Sequence, residues 1–535
     1  MKQVLVLAWR ELARLRRRFS GRMSPLATLA LVVLVGLSAF ALRNTVSLGS
    51  GLYQVGVAGD VPPIQDSRFT VVQVDVAQGR RLLDQRAIDV LVNGDQVLSR
   101  ADDKSQYAVR ALKQYMEGEE LRRIRGSYPE PQAFPLRVGI NYLSASQAAG
   151  AAPATRPEEI VIPSLSPPPL PFAQVLVAMI YILPITFISI FFTSSFMEEK
   201  INRRLTVLLS APVTPFQIIL GKMLPYAIFA LSAIALIAVS TRASLPLTLA
   251  IFLPTTLFLF AIYLMVPLFY RTFKDTTFIA MLVTTLTTAY LVAPAMFTDV
   301  SDIAYISPLT LAVRMYRGEP FGWREYLFPS LPMAAIFGLA MFAGTRLLNE
   351  EFLMGYKPIT RKITDAIYLL MARAQPYISV PLWSLLVIPV VYMAQIVILA
   401  FASNLPFGMI LTVTLLASAL MEEIAKSIGI VVLADHGRVG SVREILLLSF
   451  LSALGFFVGE KLLVLVSIKM VSQASISGVL FGQGLFLLAP LAAHFIFTSI
   501  VTLLKIKAKL FYMAALMVGT LVHFLYNWYL LGGLR

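Results

Sequence analysis

Apolar residues gather into runs at about 25–42, 171–197, 223–241, 246–270, 276–298, 327–345, 381–403, 406–434, 445–468, 480–504 and 510–531. An α-helix needs roughly 20 such residues to cross the hydrocarbon core of a bilayer, so the pattern predicts about eleven transmembrane helices. The polar segments between runs are short, with one exception. Residues 44–168 alternate apolar and polar positions, as in Tyr53-Gln54-Val55-Gly56-Val57 and Phe69-Thr70-Val71-Val72-Gln73-Val74, and then turn helical over 108–125. A period of two followed by a period of 3.6 predicts a small α/β insert. It leaves through Pro163-Ser164-Leu165-Ser166-Pro167-Pro168-Pro169, a stiff extended linker. No catalytic constellation stands out in the insert, and a gate or docking role is expected. The fold class is an all-α polytopic membrane protein with this α/β insert between spans one and two.

Composition sharpens the picture. Hydrophobic residues make up 57% of the chain, against roughly 45–50% in soluble proteins, and the excess lies in the runs. The formal charge of +15 would suit nucleic acid if it formed one patch. Instead the basic residues fall beside apolar runs: Arg10, Arg14, Arg16, Arg17 and Arg18 before the first, then 200–222, 271–274, 346–373, 438–443 and 505–509. With a cytoplasmic N-terminus all of these reach the cytoplasmic side, which is the positive-inside pattern. A multi-pass protein of a prokaryotic plasma membrane is expected, contacting lipid and binding no nucleic acid. The run at 25–42 is too long for a signal peptide, and Leu42-Arg43-Asn44 is no small-residue cleavage site, so it is expected as a retained first span. No cysteine occurs, which excludes disulfides and thiolate metal sites. The amphipathic stretch 363–371 is expected on the inner membrane surface, within a linker (351–380) joining a six-span module (1–350) to a five-span one (381–535).

The cytoplasmic loop after the second span runs Glu198-Glu199-Lys200-Ile201-Asn202-Arg203-Arg204-Leu205, continues through Leu208-Leu209-Ser210-Ala211-Pro212, and closes with Thr214-Pro215 and Gly221-Lys222. Thr214 followed by Pro215 predicts a helix start. The loop resembles the coupling segment of type-2 ABC exporter permeases. The basic amphipathic helix 9–19, the large insert after span one and Ile306-Ser307-Pro308-Leu309-Thr310 agree with that resemblance. It implies docking of a separate ABC ATPase subunit through Glu198, Glu199, Arg203, Arg204, Pro212, Pro215, Gly221 and Lys222, with ATP used by that partner and two permease halves forming a dimer. The chain itself carries no phosphate-binding Gly-x-x-x-x-Gly-Lys-Ser/Thr loop.

The last third holds Glu422, Glu423, Lys426, Glu460, Lys461, His494 and His523 inside otherwise apolar runs. A charge at mid-bilayer costs roughly 2.5–3.5 kcal/mol on the insertion scale, and such groups usually serve chemistry or transport. Counted from the cytoplasmic ends of their helices, Glu422/Glu423, Glu460, His494 and His523 lie roughly 17–22 Å deep at 1.5 Å per residue, one common level. Phe456 and Glu460, like His523 and Asn527, are four apart and share a face. The four motifs, Glu-Glu-x-x-Lys, Phe-x-x-x-Glu, a lone span histidine and His-x-x-x-Asn, resemble the PrsW family, relatives of the CAAX-processing intramembrane proteases. That resemblance implies a catalytic group of Glu422, Glu423, Glu460, His494, His523 and Asn527, supported by Lys426 and Phe456.

Two chemistries stay open. One glutamate of the adjacent pair acts as base toward water, with His523, oriented by Asn527, holding the oxyanion. Alternatively His494, His523 and a carboxylate, expected as Glu460, hold zinc with an open fourth position. The expected function is ATP-driven export of a peptide or lipid-linked substrate coupled to cleavage inside the membrane. The alternatives are ion or drug efflux with an inert protease-like receptor, and a signalling protease with a permease-like sensor.

Overall fold

The computed structural model describes residues 2–19, 51–59, 62–66, 68–94, 96–100, 102–127, 172–298, 302–371, 375–402, 405–471 and 488–532. The expected first span at 25–42, the proline linker and the start of the run at 480–504 lie outside them. The described residues separate into two units, one made of 45–176 with 295–304, the other holding the rest of the chain.

The smaller unit is a four-stranded sheet with helices. Strands β1 (Tyr53–Ala58), β2 (Phe69–Gln73), β3 (Val90–Asn93) and β4 (Gln96–Ser99) lie in the order β2-β1-β3-β4. β1 is parallel to both β2 and β3, while β3 and β4 form an antiparallel hairpin. Parallel neighbours need a crossover, and α2 (Val76–Asp84) supplies one between β2 and β3, its N-terminus capped by Asp75. On one face Val55, Val57, Val90 and Val92 pack against Ala108, Ala111 and Leu112 of α3 (Asp103–Ser127), with Phe297 beside them. Buried Asp89 is matched by Lys104 at 3.0 Å, Arg100 at 3.5 Å and the Gln54 backbone N–H at 2.9 Å.

The larger unit is all helix. It opens with α1 (Lys2–Phe19) and continues with α4 (Phe172–Ile201), the short α5 (Arg204–Leu209), α6 (Pro215–Ser240), α7 (Leu245–Phe269) and α8 (Phe273–Ala295). α9 (Pro308–Arg317), α10 (Trp323–Leu347), α11 (Glu350–Met354) and α12 (Ile359–Met371) follow. The C-terminal helices are α13 (Pro376–Leu386), α14 (Ile388–Ala402), α15 (Phe407–Asp435), α16 (Val442–Val471), α17 (Leu488–Ile506) and α18 (Tyr512–Gly532). Among the described residues nine helical segments are long and apolar enough to cross a membrane, α13 and α14 counting as one of them. α15 has 29 residues and the length to cross as well.

α13 and α14 come from one apolar run that breaks at Val387, so the continuous helix expected over 381–403 is two. Small residues on α16 let α13 and the start of α14 in close: a Cβ on Gly455 would strike the Pro381 carbonyl of α13, and one on Gly459 would sit 2.6 Å from Ile388 Cγ1 of α14. Gly-x-x-x-Gly faces allow such backbone approach in membranes. Hydroxyl pairs reinforce the packing, Ser384 with Ser452 at 2.7 Å and Ser449 with Thr502 at 2.9 Å. Two consecutive carbonyls of α15 are tied to this layer, Ala425 by Trp383 Nε1 at 3.2 Å and Lys426 by Ser452 Oγ at 2.7 Å. The helix turn that bears the paired glutamates is therefore fixed from behind.

Candidate intramembrane site

Glu423 and Lys426, three apart on α15, form an ion pair at 2.6 Å with neither side chain exposed. Lys426 Nζ also lies 2.9 Å from His494 Nδ1 of α17 and over the ring of Phe456 of α16. The other nitrogen of His494, Nε2, is 3.3 Å from Glu460 Oε2, and Glu460 in turn pairs with Lys461 at 3.1 Å. From α18, His523 Nδ1 reaches Glu423 Oε1 at 2.9 Å, while its Nε2 faces Glu422 Oε2 at 3.8 Å. The two imidazoles meet edge to face at 5.6 Å, and Phe497 stacks on His523. Four helices thus deliver their polar groups to one cluster, as their common depth predicts.

The two adjacent glutamates have different surroundings. Glu423 is wholly buried and accepts from Lys426, His523 and, at 3.4 Å, Thr498. Glu422 keeps 17% of its side chain exposed and receives a hydrogen bond from Gln395 Nε2 of α14 at 3.3 Å. Glu460, at 34%, is the most open carboxylate of the group. Glu422 and Glu460 are thus the partly open carboxylates of the cluster and Glu423 the enclosed one.

Ligating atoms of Glu422, His494 and His523 lie within 4.8 Å of one another. Two imidazoles and a carboxylate are the donor set of a catalytic zinc with one position open. His523 also presents its second nitrogen to a carboxylate, Glu423, as metal-bound histidines do. These residues fit a zinc ion in number and type. The carboxylate in the group is Glu422; Glu460, expected in that place, hydrogen-bonds to His494.

A second buried charge cluster lies where α1, α4 and α6 meet. Lys222 pairs with Glu199 at 2.7 Å and with Glu11 at 3.1 Å; Arg14 pairs with Glu199 and, at 3.1 Å, with Glu198. Glu11 further accepts from Tyr226 and Ser195. Burial pushes the Glu11 carboxyl up, but Lys222, Ser195 and Arg14 outweigh it and hold the group below the usual carboxylate range. At Gly221 a Cβ would meet Leu7 Cβ at 2.6 Å, so α1 lies directly on α6. α6 starts with the expected Thr214 cap, completed by a reciprocal bond from the Thr214 N–H to the Gln217 side chain. Arg203, Arg204, Val207, Pro212 and Phe216 stay exposed around α5. A cleft of about 490 Å³ opens beside them, lined by Thr206, Val207, Ser210, Pro215, Asn349 and Glu350 among others.

Residues 65–393, more than half of the chain, match the ABC-2 family transporter protein model. The chain belongs to the ABC-2 transporter family. Its C-terminal part, 376–533, matches the PrsW family intramembrane metalloprotease, so an ABC-2 permease is followed by a PrsW domain, the fusion that the loop and the four intramembrane motifs imply. Curated proteins and solved structures gave no match.

Within the PrsW domain the structure gathers Glu422, Glu423, Lys426, Phe456, Glu460, His494 and His523 into one cluster. Asn527 lies one turn beyond His523, half-buried, but the group on His523 Nδ1 is Glu423. Sequence reasoning passed over Gln395, Thr498 and Glu11. A single amide or hydroxyl in an apolar run carries no signal of its own, although the depth argument applied to Gln395 would have found it. Within the ABC-2 part, Glu199, Gly221 and Lys222 of the expected docking loop are buried against α1 and α4, while Arg203, Arg204 and Pro212 face outward.

Proposed function

We propose that the chain is the permease subunit of an ATP-driven exporter whose PrsW domain hydrolyses a peptide bond of a membrane-borne or exported substrate. The observation that carries the hydrolytic half is the division of labour between the glutamates. Glu422 is accessible, bears the Gln395 amide on one oxygen and faces His523 Nε2 with the other; it takes a proton from water as the general base. Glu423 orients His523 and Lys426. His523, held through Nδ1, points Nε2 at the reacting position, where the ring protonated on both nitrogens donates from Nε2 to the oxyanion of amide hydrolysis. When zinc is bound, Glu422, His494 and His523 hold it, and it supplies Lewis-acid polarisation of the carbonyl and of water. Glu460, open beside His494, is then the carboxylate left to accept the proton.

The permease half is supported by the family match and by the exposed basic surface around α5. The ABC-2 family normally works with an ABC ATPase subunit, which here would dock on Arg203, Arg204 and the adjoining cleft. The distribution of basic loops supports a cytoplasmic N-terminus, and the reading places the protein in a prokaryotic plasma membrane.

The test is cleavage of a membrane-borne peptide by the purified full-length protein. Glu422→Gln removes the base and keeps shape, so cleavage is expected to disappear while folding persists. His523→Ala is expected to lower the rate by roughly 10²- to 10³-fold, and Asn527→Ala by less. Normal cleavage by both Glu422→Gln and Glu423→Gln would leave the cluster as a packing network only.

A further inference from the structure

We infer that Lys426 is a built-in counter-cation that competes with a divalent metal for the intramembrane cluster and so sets its metal affinity. The inference rests on the metal-holding reading of Glu422, His494 and His523. It starts from a contrast between the two histidines. His523 turns its second nitrogen to a carboxylate, which in the neutral ring leaves Nε2 with a lone pair toward the cluster. His494 is placed the other way. Its Nδ1 faces an ammonium group, Lys426 Nζ, at 2.9 Å.

An ammonium is a donor only, so Nδ1 accepts and the ring proton sits on Nε2, where Glu460 Oε2 receives it. Both nitrogens are then occupied, and His494 has no lone pair to give an ion. It becomes a ligand only when Lys426 withdraws from Nδ1. A metal-bound ring would also need an acceptor at its second nitrogen, and an ammonium cannot serve.

Charge points the same way. Glu422, Glu423 and Glu460 bring three carboxylates, and Lys426 and Lys461 bring two ammonium groups. A doubly charged ion placed near an unexposed ammonium meets repulsion that water does not screen. Lys426 is held by Glu423 at 2.6 Å and by the face of Phe456, so its withdrawal has a cost that appears as weaker metal binding. Lys461 is one-third exposed and pairs with Glu460 rather than with either imidazole, so it competes less.

The experiment is a zinc titration of the full-length protein in detergent against a competing chromophoric chelator, with bound zinc rather than cleavage as the readout. Lys426→Met is expected to bind zinc at least about tenfold more tightly than the unaltered protein. Lys426→Arg, which keeps the charge, is expected to bind no more tightly. Because Lys426→Met strands the Glu423 carboxylate, Lys426→Gln, whose amide still donates to Glu423, is measured in parallel, and tightening in either folded variant supports the inference. Equal or weaker binding by the folded neutral variants, while Glu422→Gln and His523→Ala abolish binding, overturns the role of Lys426 and leaves the metal site standing. Zinc binding by none of the proteins, or binding unchanged by Glu422→Gln and His523→Ala, overturns the metal reading and this inference with it.

Discussion

At Gly455 the carbonyl of Pro381 occupies the space where a side chain would begin. Gly455→Ala must push α13 away from α16, and overpacking of this kind costs about 1–3 kcal/mol. A lower midpoint of thermal unfolding in detergent is expected, and Gly338→Ala, at a position with nothing within 4 Å of the added carbon, is expected to leave it unchanged. Gly455 and Gly459 form a Gly-x-x-x-Gly pair that is readable in the sequence, immediately ahead of Glu460. The depth of the site residues was equally readable, because rise per residue is fixed along a helix. What a list of depths cannot give is the angle at which each side chain leaves its axis. For that reason Glu422 and Glu423 looked equivalent, Glu460 stood in for Glu422 as the carboxylate nearest both imidazoles, and Asn527 stood in for Glu423 as the orienting group on His523.

Among the elements, the segment from the end of α4 to the start of α6 does two jobs. Its inner side is welded to α1 through Lys222, Glu199 and Glu11; its outer side carries Arg203 and Arg204. Reversing both arginines to glutamate is expected to lower co-purification of the ATPase subunit while the amount of folded protein stays the same. Lys222→Met is expected to act otherwise, because it leaves the two buried carboxylates Glu11 and Glu199 with Arg14 as their one shared cation, a loss of up to about 3–5 kcal/mol that appears as less folded protein by size-exclusion chromatography. Undiminished ATPase association in the arginine variant would remove α5 as the docking element. The Thr214-Pro215 start of α6 was legible because a cap is a local device. The inward turn of Glu199 and Lys222 was not, since their partners Glu11 and Arg14 lie some two hundred positions away in the chain.

On the scale of the whole molecule, α12 belongs to two neighbourhoods at once. Its Lys362 donates to the Phe269 carbonyl at the end of α7, beside Lys200, which caps the carbonyls of Pro267 and Tyr270. Burial and the charge of Arg271 hold the Lys362 ammonium below its ordinary range. On its other side, Ile367 and Met371 enter the core formed by Val380, Ile430, Leu433 and Ile445. A fragment of residues 376–535 lacks those two side chains, so it is expected to be more sensitive to limited proteolysis in detergent than a fragment of residues 356–535. Equal resistance would make α12 a tether rather than part of that core. Amphipathicity alone placed this helix at the membrane surface; packing, which no single-sequence pattern reports, ties it to both sets of helices.

The cluster of the PrsW domain takes its groups from α15, α16, α17 and α18, and its last imidazole is the 523rd residue. During synthesis the residues of the other three walls of the cluster are joined to the chain before His523 is. A chain halted between His494 and His523 carries the glutamates and one histidine of the cluster but not the other. The cluster is therefore completed late: no chain that stops short of α18 holds both of its imidazoles.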